Sequence, residues 1–358
     1  MSHILLPLID CPNLQLALNE ITDKGGMPGE AAPEIQFLTA PQNTNRILET
    51  NVLPGGGKIR TVEVVYTPRT TEDEVGTTLT TECISGKESG MLSETYDIDE
   101  NAGVQVDEVI NFADLTRICK SNPEYLAGRV AAMLDGARRK MQSRVAEQMA
   151  LLYGKFAVDN GETGLSALNT LKTVETKFPA AQKATWNPEA VQEIILSAMN
   201  SGFTGIPYVF GFGEIWRYFN YLNAVGNSSD GGLDFAKYVA QNQIGFMPSI
   251  KMHTALNGAS GSGAKFLVID LRSLFLLQYN RFEDESQKVN DGFHVQGIIV
   301  DPMTGVPFNY KVTRSCDETI SFFISSAFKV VGLPNDMYSG GDRLDGTNGV
   351  LRFDIANT

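Results

Sequence analysis

One long amphipathic stretch, between Ser121 and Gly154, constrains this chain more than any other feature. Ser121 or Asn122 supplies an N-cap, Pro123 suits a first turn that needs no amide donor, and Glu124 complements the helix dipole. Leu126, Val130, Leu134, Ala137, Met141, Val145 and Leu152 follow at spacings of three, four and seven, which draws one apolar stripe along a helix. The pattern predicts a helix from Pro123 to Tyr153, about 46 Å long at about 1.5 Å per residue. A helix of that length is a strut, and the rest of the chain must be built against it.

The remaining sequence reads as short strands and turns. The 34 glycines and 15 prolines, beside only 20% charged residues, call for many turns between a few helices, which makes the fold class α+β. With 358 residues, of which 42% are apolar, the chain is long enough for two or three compact units with real cores. Residues 1–57 are rich in turn formers such as Gly25, Gly26, Pro28, Pro33, Pro41 and Pro54, and read as an extended arm. From Lys58 to Thr67 the pattern becomes strand, with Val62, Val64 and Tyr66 on one face. Extended stretches at 79–84 and 91–98, the second carrying Leu92 and Tyr96, flank a turn at 85–90 that holds Lys87. Together they predict a long twisted hairpin, which is barely stable alone in water and needs a surface to lie on.

A short strand at 104–110 and a short helix at 112–119 lead into the long helix, and 161–182 reads as a loop. Beyond it the composition turns hydrophobic. A helix is expected from Asn187 to Gly202 with Val191, Ile194, Ile195 and Ala198 buried, then a strand at 207–210 and helices at 214–222 and 233–239. Strands are expected at 249–256, 265–270, 274–278, 293–300, 308–314 and 319–331, before a glycine-rich polar tail.

The search for chemistry returns little. The formal net charge of −13 argues against tight, salt-sensitive duplex binding by the whole molecule, because phosphate neutralisation needs clustered Lys and Arg. Cys11, Cys83, Cys119 and Cys316 are far apart with no CxxC pairing and read as free thiols. Met1 to Ile9 has no basic lead-in and is broken by Pro7, so no signal peptide is expected, and no window holds the ~20 apolar residues that a bilayer span requires. His3, His253 and His294 are isolated, and Glu283, Asp284 and Glu285 read as a solvated turn rather than a cation site. Gly211 and Gly213 flank Phe212 without completing a GxGxxG or P-loop spacing, and no GxSxG elbow is present. No catalytic residue, cofactor or metal is therefore assigned. On the helical wheel Arg129, Lys140 and Arg144 cluster beside the apolar stripe, while Arg138 and Arg139 point elsewhere; Asp135 and Glu147 dilute the patch.

The order of these elements resembles the major capsid proteins of tailed bacteriophages with the Hong Kong 97-like fold. The resemblance is most specific in Tyr208-Val209-Phe210, in Ile244 to Ile250, in Phe266 to Asp270 and in the strand Ser325 to Val330. It implies an N-terminal arm at 1–57, an E-loop at 58–100, a P domain at 101–185 with the spine helix 123–153, and an A domain at 186–280. Residues 281–335 would return through both domains, and 336–358 would be a C-terminal tail. Two features depart from the family: no long charged helix precedes the arm, and the 293–314 segment, with its turn at Asp301-Pro302-Met303-Thr304-Gly305, is more elaborate than usual.

What the resemblance implies is a non-enzymatic shell subunit. It would assemble with itself as pentamers, hexamers or both, and contact packaged double-stranded DNA weakly and non-specifically. The missing charged helix leaves either a separate scaffold or none; portal and decoration proteins are the other candidate partners, and a membrane is not one. Val62, Val64, Tyr66, Lys87, Leu92 and Tyr96 become the candidate assembly interface, and Arg129, Lys140 and Arg144 the candidate inner-face basic residues. Some members of the family join an E-loop lysine to a neighbour's asparagine. Lys87, the one lysine between Lys58 and Lys120, sits at a polar turn, and a non-covalent shell is expected. An encapsulin-like compartment enclosing protein cargo is the alternative within the fold, and an enzyme with an undetected site in 187–278 the alternative outside it.

Overall fold

The computed structural model describes residues 11–23, 32–40, 47–53, 59–67, 91–111, 122–153, 172–176, 194–199, 203, 206–211, 244–258, 265–271, 273–283, 289–290, 294–314, 319–332 and 349–357. The architecture is α+β, arranged around one 30-residue helix, α3 (Asn122–Leu151), close to the expected span. Before it come helices α1 (Cys11–Asp23) and α2 (Pro33–Leu38) and strands β1 (Ile47–Val52), β2 (Ile59–Tyr66), β3 (Leu92–Asp99) and β4 (Val104–Asn111). After it come β5 (Lys172–Thr176), a helical segment at 194–199, β6 (Pro207–Gly211), β7 (Gly245–Pro248), α4 (Ile250–Asn257), β8 (Lys265–Asp270) and β9 (Leu274–Tyr279). The chain closes with β10 (Val289–Asn290), β11 (His294–Val300), β12 (Pro307–Arg314), β13 (Thr319–Gly332) and β14 (Val350–Asn357).

The expected stripe on α3 is buried, but the helix is wrapped far more completely than that stripe requires. Leu126, Val130, Leu134, Ala137, Met141 and Val145 are joined in the core by Ala127, Ala131, Met133, Ala146, Met149 and Ala150. The alanines let neighbouring backbones come close, and each large apolar side chain buried here contributes about 1.5–3 kcal/mol. Exposure is confined to positions such as Arg139, Lys140, Glu147 and Leu151.

One strand organises the largest sheet. The first half of the 14-residue β13 lies between β12 and β4, with Ser325 opposite Asn309 on one side and Gln105 on the other. Its second half, Ala327 to Gly332, pairs with β9. Its inward residues Ile320, Phe322, Ile324, Phe328 and Val330 are buried in the core they share with α3. Gly103, entering β4, is required by the packing, because a Cβ there would lie 2.3 Å from the Ser326 carbonyl oxygen.

A second sheet runs in the order β5-β14-β8-β6-β7, and a third, three-stranded one in the order β1-β2-β3. In the third, β2 pairs antiparallel with β3 from Ile59 opposite Asp99 to Tyr66 opposite Leu92, and β1 adds a further antiparallel edge.

Four expectations are corrected. The N-terminal region is not extended throughout: α1 and α2 place Leu14, Leu18, Ile35, Phe37 and Leu38 in the main core, because clustered apolar residues outweigh the flanking glycines and prolines. The segment expected as a strand at 249–256 is helix α4, with the Ser249 hydroxyl accepting from the Met252 amide at 3.0 Å as an N-cap. Within the expected loop at 161–182, β5 runs parallel to β14. The C-terminal segment is not wholly a tail, since β14 is an interior strand with Val350 and Phe353 fully buried. The expected strand at 79–84, the turn at 85–90, and the helices at 112–119, 214–222 and 233–239 lie outside the described residues. The strands at 207–210, 265–270, 274–278, 293–300, 308–314 and 319–331 are present within a residue or two of their expected bounds.

Candidate assembly surface

The three-stranded sheet is fixed to the body by one face. Val62, Val64, Tyr66 and Ile98 are buried against Phe275 and Leu277 of β9 and Ala327 and Val331 of β13. Tyr96 is half-buried, its ring meeting that of Phe275 edge-on at 6.2 Å, and its hydroxyl donates to Glu94. Burial, with the Glu94 carboxylate beside it, raises the Tyr96 pKa far above its usual value, so the hydroxyl stays protonated. At the base of the sheet Arg60 bonds Glu100 at 2.7 Å and covers the Tyr279 ring.

This arrangement revises the expected interface. Val62, Val64 and Tyr66, the face expected to wait for a neighbour, are covered by the chain's own β9 and β13, because the hydrophobic surface that the hairpin needs lies within the same molecule. Leu92 is exposed, as are Met91 beside it and Val52 and Ile59 at the other end of the sheet. Lys87 lies outside the described residues. Among the described residues, the large apolar side chains that this sheet leaves exposed therefore lie at its two ends rather than on the face against β9 and β13.

A second open surface is the face of the large sheet turned away from α3. Gln105, Asp107 and Val109 of β4, Ser321, Phe323 and Ser325 of β13 and Lys311 of β12 line a concavity of about 720 Å³ with Arg281, Phe282 and Glu100 at its rim. Val109 is exposed there. Its mixed charges and hydroxyls suit a protein surface better than a polyanion.

The basic residues of α3 are mostly spent within the fold. Arg129 pairs with Glu108 of β4, and Arg144 donates to the Ala102 carbonyl at 3.0 Å. Lys140 alone of the three expected inner-face residues is exposed. Arg138, expected only to point away from the Arg129, Lys140 and Arg144 cluster, is buried. Its guanidinium bonds Asp135 one turn earlier on α3 and both carboxylate oxygens of Asp301, at 3.2 and 3.4 Å, in the turn between β11 and β12. Asp301 also accepts from the Thr304 hydroxyl at 2.7 Å, and Gly305 closes the turn at a φ of 72°. The more elaborate 293–314 segment is thus a hairpin whose tip is anchored on α3. The i, i+3 spacing of Asp135 and Arg138 and the Asp-Pro-Met-Thr-Gly turn were the available signals, but nothing local links them.

No group of three or more His, Cys, Asp or Glu side chains among the described residues is placed to hold a metal ion. His253, read as an isolated residue on a strand, is buried on α4 with Nδ1 facing the Asn257 side-chain amide. No described helix is long and apolar enough to cross a membrane.

No family model and no curated protein matches this sequence. Solved structures with a similar chain path include the capsid of Cyanophage A-1(L), at 10% identity and a TM-score of 0.47, the alignment covering 91% of this chain and 93% of that one. The mature capsid of bacteriophage PhiM1 aligns at 8% identity and a TM-score of 0.42, covering 83% and 82%. A virus-like particle from Pyrococcus furiosus aligns at 10% identity and a TM-score of 0.40, covering 96% and 98%. Each is a capsid or virus-like particle.

Proposed function

We propose that this chain is the major capsid protein of a tailed bacteriophage, a shell subunit of the Hong Kong 97-like type that assembles with itself around double-stranded DNA. The observation that carries this reading is the succession, in one chain, of an antiparallel hairpin packed on the body by one face (β2-β3), a 30-residue strut (α3), a mixed sheet (β5 to β8 with β14) and long returning strands that tie them together. These take the roles of E-loop, spine helix, A domain and P-domain sheet, with α1 and α2 as the inner part of the N-terminal arm. The hairpin offers Met91 and Leu92 at its far end to whatever lies beside the molecule, and repeated copies of one such contact close a shell by symmetry.

The charge distribution supports a container. With a net charge of −13, and with Arg129, Arg138 and Arg144 of α3 engaged internally, the subunit carries no net attraction for phosphate, which suits a wall that must let a genome pass. Function then resides in interfaces rather than in a reacting site. Particles purified after nuclease treatment and examined by electron microscopy test the reading: shells containing protected double-stranded DNA support it, whereas shells filled with protein would favour an encapsulin-like compartment.

A further inference from the structure

We infer that Glu34 is a proton-held clasp: with its carboxyl group protonated it locks α2 into the seam between α3, α4 and β6, and its ionisation loosens that segment. Glu34 is fully buried, yet its side-chain bonds are to neutral groups only. One oxygen takes the Ser249 hydroxyl, at the start of α4, and the other takes Gln142 Nε2 of α3 at 2.8 Å. Three residues on, Phe37 seats α2 against the second sheet, with its ring edge-on to Tyr208 at 5.4 Å and to Phe210 at 5.0 Å. One short helix therefore joins the strut to the sheet, and its one ionisable group sits at the junction.

The charged groups nearby are committed elsewhere. On α3, Arg138 serves Asp135 and Asp301, Arg139 serves Asp135, and Lys140 is exposed. On α4, Lys251 is half-buried and His253 faces Asn257; on β9, Tyr279 lies under Arg60. Tyr208 of β6 meets Phe37. No cation among the described residues pairs with Glu34, and a buried carboxylate without a countercharge favours its neutral form. Burial raises the Glu34 pKa above its ordinary 4.5, outweighing the bonds from Ser249 and Gln142 and the amides of Glu34 and Met252, which favour the charge.

The sign follows from linkage. A group whose pKa is raised in the docked state stabilises docking at low pH, and that stability is lost as pH climbs from the undocked value through the docked one. Opening of α2 should therefore increase by up to about tenfold per pH unit above about 4.5, then level off. The clasp belongs to the single chain and stands whether or not the chain forms shells.

Amide hydrogen exchange of residues 34–39 in the full-length unassembled chain, corrected for intrinsic rates across pH, reads it directly. The wild type should lose protection with rising pH while Glu34→Gln, which keeps a neutral side chain of the same shape, stays flat. Superimposable profiles, or lower protection in Glu34→Gln than in wild type at neutral pH, would overturn the inference. Should Glu34→Gln not fold, Ser249→Ala carries the test: removing a donor that favours the charged form must extend the loss of protection to a higher pH before it levels off, and an unchanged levelling-off point overturns the clasp.

Discussion

Replacing Arg138 by methionine isolates the most exacting contact in the fold. The substitution keeps the aliphatic stem of a side chain that is 1% exposed and removes only its guanidinium. It strands Asp301, at 0% exposure, with Thr304 as a neutral donor, and leaves Asp135, at 9%, with Arg139 as its cation. Breaking a buried pair from one side costs about 3–5 kcal/mol, because the partner charge stays desolvated and unmatched. Arg139→Ala, at 51% exposure and on the same Asp135, should cost about 0–1 kcal/mol. Adding Asp301→Asn to Arg138→Met removes the stranded charge and should recover about 2 kcal/mol, since a buried pair and its neutral replacement differ far less than a broken pair. Urea unfolding of the unassembled chain, compared at constant slope, measures all three. An Arg138→Met midpoint equal to that of Arg139→Ala would refute the reasoning, as would a double variant less stable than Arg138→Met alone.

Leu134, fully buried midway along α3, should lose about 2–5 kcal/mol on truncation to alanine and fail to fold as Leu134→Asp, read by the same unfolding curves. Deleting Glu72 to Gly90 should leave a folded subunit that no longer closes shells, because the described contacts of β2 and β3 with the body lie outside the deletion while Lys87 of the candidate interface lies within it; normal shells from this variant in electron micrographs would contradict an assembly role for that segment. Boiled particles on a denaturing gel should run as one band near 39 kDa, and a ladder that disappears in Lys87→Ala would show covalent joining.

The strut and the returning strands were legible because their signals are local. A 3.6-residue stripe on α3 and two-residue alternation through β12 and β13 each depend on neighbours within a few positions. What escaped was set by distant partners. β14 follows a glycine-rich stretch and owes its interior place to pairing with β8 and β5, and the polar β5 carries little apolar signal of its own. Helix α4 was mistaken for a strand because Ile250, Met252 and Thr254 also alternate, and the Ser249 cap decided the outcome. Periodicity identified the apolar face of β2, but whether β9 and β13 of the same chain or a second copy would cover it is a question of tertiary packing. Arg138 looked like surface charge because its partner Asp301 is 163 positions away.

The mass of the purified chain in solution, measured by multi-angle light scattering, tests the central claim most directly. Closed icosahedral shells need at least about sixty copies, on the order of 2 MDa for a 39.0 kDa subunit, eluting as one narrow population. A stable monomer, dimer or other small oligomer at every salt concentration and pH at which the chain remains folded would contradict the account.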